Sequence, residues 1–176
     1  GYATTASAIG IDASGYSVSI YNTGDINAFA SNDLYFGASV AIGINAEAYA
    51  DITISNSGDI TLSGSSGDGY TRIGYYPYIF VTGDFNGTGI NAESTIGSIS
   101  VENSGAITIT SLNESGVAGG YQSGDKLKGI SAKTVLGDAT INNSGDITLT
   151  GGETSYGLTA RTDSSTVFYT CPPPYN

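Results

Sequence analysis

The sequence predicts an all-β fold, a parallel β-solenoid of about five three-strand coils, and three observations carry that prediction. One phrase, Asn-Ser-Gly-x-Ile, recurs along the chain. It reads NSGDITL at Asn56–Leu62 and again at Asn143–Leu149, NSGAITI from Asn103, and NTGDINA from Asn22. A second phrase, Gly-Ile-x-Ala, precedes each copy at Gly10, Gly43, Gly89 and Gly129, and returns as Gly-Leu-Thr-Ala at Gly157. Around both phrases the apolar residues alternate with period two, the pattern of half-buried strands and not of helices.

Each unit reads as three strands in order. Gly-Ile-x-Ala supplies the first inward pair. The second precedes the asparagine: Val18 and Ile20, Ile52 and Ile54, Ile99 and Val101, Ala139 and Ile141. The third follows the glycine: Ile26 and Ala28, Ile60 and Leu62, Ile107 and Ile109, Ile147 and Leu149. One unit has too few apolar residues to close a core, so units must stack, strand upon strand at about 4.8 Å, and share columns of Ile, Val, Leu and Ala. From the glycine of the first phrase to the next asparagine the offsets are 12, 13, 14 and 14 residues. From the isoleucine of the second phrase to the next glycine they are 17, 29, 22 and 10, so the length variation lies in one arm. A single solenoid domain over residues 1–170 and a proline-rich tail over 171–176 follow.

The asparagine phrase predicts a corner. Asn22, Asn56, Asn103 and Asn143 end a strand and stack into an amide ladder. Ser-Gly turns the chain, with glycine expected at positive φ. Asp25, Asp59 and Asp146 share the next position, where Ala106 interrupts them, and read as a solvated row more than a calcium site.

Composition narrows the function. The formal net charge is -11 and the basic residues are Arg72, Lys126, Lys128, Lys133 and Arg161, a poor match to nucleic acid, whose phosphates are held by Lys and Arg. No apolar run is long enough to span a membrane. The chain has no histidine, a single cysteine at Cys171 and no methionine, which excludes a disulfide framework and reads as a processed product or a fragment. No cofactor or metal and no enzymatic activity is expected: Asp84, Glu93, Glu114 and Asp125 read as turn or loop residues, with no basic residue beside a clustered acid pair. Outward threonines at Thr61, Thr108 and Thr148 make too small an array for ice binding. Asn86, Asn113 and Asn142 lie in weak glycosylation patterns.

The long insertion after Leu62 carries Tyr70, Tyr75, Tyr76, Tyr78, Phe80 and Phe85. Shorter ones bring Tyr35, Phe36, Tyr121 and Tyr156. Leaving one arm of every coil, these insertions should emerge on one side. There the rings make lateral or subunit contacts, pack on their own coil, or stack on a glycan.

Gly-Ile-x-Ala, a strand, then Asn-Ser-Gly-x-Ile resembles the passenger repeats of bacterial autotransporter and filamentous-haemagglutinin-like adhesins, over Ile9 to about Ala160. The resemblance implies a right-handed helix and residence outside the cell or on its surface. The ends then suggest assembly. Gly1–Ala8, with Tyr2, Ala3, Thr4 and Thr5, read as the closing arm of a preceding coil, and Leu158 with Val167, Phe168 and Tyr169 as the first two arms of a fifth. Stacked head to tail, Leu158 meets Ile11 of the next subunit and Ala160 meets Ala13, a contact that does not close and so builds a filament. The tail either caps the edge or reaches a neighbour. Cys171 reads as a small buried residue in preference to a crosslink. The expectation is a secreted structural protein whose main partner is itself. The alternative is an adhesin-type module contacting a glycan or a host surface.

Overall fold

The structure, a computed structural model, describes residues 5–32, 37–66, 68–71, 79–112 and 124–163. The first coil is β1 (Thr5–Gly15), β2 (Val18–Asn22) and β3 (Ile26–Asn32). The second is β4 (Ala38–Ala48), β5 (Ile52–Asn56) and β6 (Ile60–Ser66). A short antiparallel hairpin, β7 (Asp68–Thr71) and β8 (Ile79–Thr82), leads into the third coil, β9 (Phe85–Ser94), β10 (Ile99–Asn103) and β11 (Ile107–Ser111). The fourth is β12 (Lys126–Thr134), β13 (Ala139–Asn143) and β14 (Ile147–Thr150), and β15 (Thr154–Thr162) opens a fifth. Apart from the hairpin, the strands stack in register into three parallel sheets: β1-β4-β9-β12-β15, β2-β5-β10-β13 and β3-β6-β11-β14. No helix occurs among the described residues. The fold is a parallel β-solenoid.

The predicted columns are the core. Ile20, Ile54, Val101 and Ile141 stack in the second sheet, and Ile26, Ile60, Ile107 and Ile147 in the third. In the first sheet Ile11, Ile44, Ile90, Ile130 and Leu158 form one column and the alanines from Ala13 to Ala160 another. The isoleucines and valine of these columns in the middle coils are fully buried, each stabilising by roughly 1.5–3 kcal/mol. Ile11, Ala13 and Ala28 at one end, and Ala139, Ile141, Ile147 and Leu149 at the other, are only partly covered.

The two recurring phrases meet inside each coil. A Cβ on Gly43 would stand 2.5 Å from Cγ2 of Ile60 and 2.5 Å from the carbonyl oxygen of Gly89, and Gly89 and Gly129 are crowded likewise by Ile107 and Ile147. At this glycine the strand changes phase: Ser39, Ala41 and Gly43 are buried, then Ile44 and Ala46. The strand bends there, and only glycine leaves room for the isoleucine opposite.

The structure corrects four expectations. The Ser-Gly corner glycines are not at positive φ; among the described glycines only Gly137 and Gly151 are. Close stacking demands glycine instead, because a Cβ on Gly58, Gly105 or Gly145 would be driven into the carbonyl of the corner glycine one coil below. Thr5–Ala8 do not close a preceding coil. They form the first half of β1 and pair with Ala38–Ala41 of β4. Glu93 lies in strand β9, not in a turn. Phe85 belongs to the core, fully buried and with its ring against Gly64 and Gly87.

Candidate functional site

Three places bear on function: the corner ladders that hold the coils in register, the two ends, and the exposed flanks. In the asparagine ladder, Nδ2 of Asn22 donates to Oδ1 of Asn56, Asn56 to Asn103, and Asn103 to Asn143, each at 2.7 Å. Each Nδ2 also donates to the carbonyl two residues on, at Gly24, Gly58, Gly105 or Gly145. The asparagine thus ties its own corner and the next coil together, and all the amides point the same way along the axis.

Further ties were not legible as such. Asn45 donates to Asp12 at 2.9 Å and Asn91 to Asn45 at 3.0 Å, a second ladder at the variable position of Gly-Ile-x-Ala. The aspartate row is exposed as expected, yet it is not merely solvated: Oδ1 of Asp25 accepts the N–H of Asp59, and Oδ1 of Asp59 that of Ala106. Asp51 does the same for Ser98, and Asp84 for Gly124. Asp125 is fully buried, accepting the Phe85 N–H at 2.8 Å on one oxygen and the Ser111 hydroxyl on the other. These carboxylates are structural acceptors. No group of three or more metal-ligating side chains occurs among the described residues.

Of the residues assigned to assembly, Thr5 and Ile11 lie on β1 and Leu158 on β15. Tyr2, Ala3, Thr4, Val167, Phe168, Tyr169 and Cys171 lie outside the described residues. Leu158, whose counterparts in the three coils before it are buried, is 51% exposed. Among the described residues β13 and β14 have no strand stacked beyond them, and β1, β2 and β3 none before them.

Of the insertion aromatics, Tyr70 and Phe80 stand opposite each other in the β7–β8 hairpin; Tyr75, Tyr76 and Tyr78 lie outside the described residues. The insertions all join the third sheet to the first. Exposed apolar residues that the sequence reading passed over lie elsewhere. Tyr16, Tyr21 and Phe29 project from the first coil, and Tyr49, Ile96, Val135 and Leu136 line the corner between the first and second sheets. The rings of Tyr16 and Tyr49 are 5.7 Å apart. Beside that corner runs a shallow groove bordered by Glu47, Tyr49, Glu93, Lys133 and Val135.

No protein-family model, curated protein or solved structure matches the chain. The likeness to adhesin passengers therefore rests on the repeat phrases.

Proposed function

We propose that the chain is an extracellular structural protein, a solenoid subunit of the adhesin-passenger type that stacks head to tail into a filament. The observation that carries this reading is the pair of open edges. Partly covered core columns and unpaired strands stand at both ends of the described solenoid. An exposed strand edge pairs readily with another chain, and here an apolar column continues beneath it. Pairing β15 with β1 of the next subunit extends the first sheet and sets Leu158 on Ile11 and Ala160 on Ala13, in the register β12 already makes with β15. Parallel strands and a one-way asparagine ladder favour head-to-tail contact, since head-to-head contact would oppose both.

A second reading, an adhesin-type module within a longer passenger, is favoured by the exposed rings of Tyr16, Tyr21 and Tyr49, which suit sugar faces. In that case neighbouring coils of the same chain cover the edges.

Negative-stain microscopy of the purified chain separates the two. A subunit forms fibres with a fibre-axis reflection at about 4.8 Å. A module stays monomeric and binds glycan through its tyrosines. Because Thr5–Ala8 belong to β1, deleting Gly1–Ala8 strips half an edge strand, and fibres surviving that loss unchanged would count against the β15–β1 contact. Truncation at Asp163 weakens fibres if residues 164–176 reach the neighbour and promotes them if they cap the edge.

A further inference from the structure

The described cations are gathered on one sheet. Lys126, Lys128, Lys133 and Arg161 all project from the first sheet, in its last two strands, on a chain of net charge -11. The same sheet carries its acids in earlier strands. One row across it reads Ser14, Glu47, Glu93, Lys133, Arg161, in continuous register from β1 to β15. These side chains are exposed. Asp163 contacts both cations, Lys133 at 3.5 Å and Arg161 more closely, so one carboxylate is shared by two positive groups and the upper end of the row stays net positive. The row is acidic below and basic above. Next to it the corner exposes Thr95 and Ile96 in the third coil and Val135 and Leu136 in the fourth.

We propose that this face binds a second copy of the chain, side by side and antiparallel, about a twofold axis parallel to the strands and passing between β9 and β12. Such an axis reverses the coil order while keeping each position along the strand. Glu93 then faces Lys133 of the second copy, and Glu47 faces Arg161. Ile96 faces Leu136, and Thr95 faces Val135, so an apolar seam lies beside the ion pairs, and the symmetry makes each contact twice. Charge decides the occupant. Two chains of net charge -11 repel over most of their surfaces, and among the described residues only this face offers cations to an incoming acidic copy. A parallel side-by-side arrangement would set acid on acid and base on base. The pairing uses the outward side chains of the sheet and not its open strand edges, so it would join two head-to-tail stacks of opposite direction.

Charge reversal on β9 and β12 tests this, with Glu93 two strands away from β15 and Lys133 giving up its contact with Asp163 as well. The full-length chain should sediment with a pairwise component at low salt, or form fibres two solenoids wide, and salt should weaken the pairing. Glu93→Lys or Lys133→Glu alone should raise the dissociation constant at least about tenfold, by removing two ion pairs and creating like-charge contacts. The double reversal, Glu93→Lys with Lys133→Glu, should restore pairing to within about threefold of the original, the signature of direct coupling. Glu93→Gln should fall between and serves as the folding control. An original chain without lateral pairing, single reversals without effect, or a folded double variant that fails to recover would each overturn the proposal. Loss of end-to-end fibres with dimers intact would instead count against the filament reading alone.

Discussion

Asn103 hydrogen-bonds to two coils and to its own corner at once: its Nδ2 serves Gly105 and Asn143, while its Oδ1 takes the amide of Asn56. Asn103→Ala would take away an acceptor from the buried Asn56 amide and the donor to both the Asn143 side-chain oxygen and the Gly105 carbonyl. The expected cost is at least about 2 kcal/mol, read as a lowered urea midpoint, because each buried group so deprived forfeits its solvation. Asn22→Ala should cost less, since Asn22 lies in the first coil and makes a tie on one side only. The corner glycines offer a sharper contrast. Gly105→Ala forces a methyl into the Gly58 backbone and should destabilise by about 2–3 kcal/mol. Gly24→Ala, at the same motif position, meets nothing within 4 Å and should be nearly silent. Equal melting temperatures for the two variants would show that local turn geometry, and not stacking, selects glycine there.

Strands show where reading by pattern succeeds and where it stops. Period-two alternation located the two inward apolar positions beside the corner in each strand of the second and third sheets, and stopped short of the buried Ala30, Asn32, Ser66 and Ser111, where the inward residue is small or polar. It missed the long first-sheet strand, whose phase changes at Gly43, and so assigned Thr5–Ala8 to the wrong coil. Asp125 was missed for a related reason: a carboxylate between a loop and a strand reads as solvated, and only stacking brings it under Phe85 and Ser111. Asp125→Ala should remove the carboxylate acceptor of two buried donors and lower stability by about 2–5 kcal/mol, measured by thermal or urea unfolding. In the columns, Ile54→Asp places a charge at a fully buried site and should cost on the order of 3–5 kcal/mol. Ile141→Asp, beneath the open end, should cost clearly less. Thr61→Asp, on the exposed side of β6, should leave the melt unchanged. The asparagine ladder was legible because its four copies share one spacing to glycine. The ladder through Asp12, Asn45 and Asn91 was not, because its position drifts to Ser131 and Thr159.

Across the whole molecule, stability is a sum over neighbouring coils. Amide hydrogen exchange should accordingly be slowest in β5, β6, β10 and β11, and fastest in β1, β2, β3, β13, β14 and β15, where one neighbour is missing among the described residues. Uniform protection along the chain would contradict this. The long insertion should be dispensable to the coils. The Ser66 hydroxyl already reaches the Gly83 carbonyl, so replacing Gly67–Thr82 with a short turn should leave the melting temperature within a few degrees. Charge placement was legible only as a total. That the described cations share one sheet depends on register, which no count of residues reveals.

The ladder also sets a scale. Asn22, Asn56, Asn103 and Asn143 are separated by 34, 47 and 40 residues, yet each step advances the axis by the same strand spacing of about 4.8 Å. Distance along the molecule is therefore counted in asparagines and not in residues. A stretch inserted at the variable corner widens one flank without displacing any mark on this ruler, whereas gaining or losing one whole repeat shifts everything beyond it by a single division. A gene for such a protein can thus alter what the flank displays and how far the molecule reaches by separate edits.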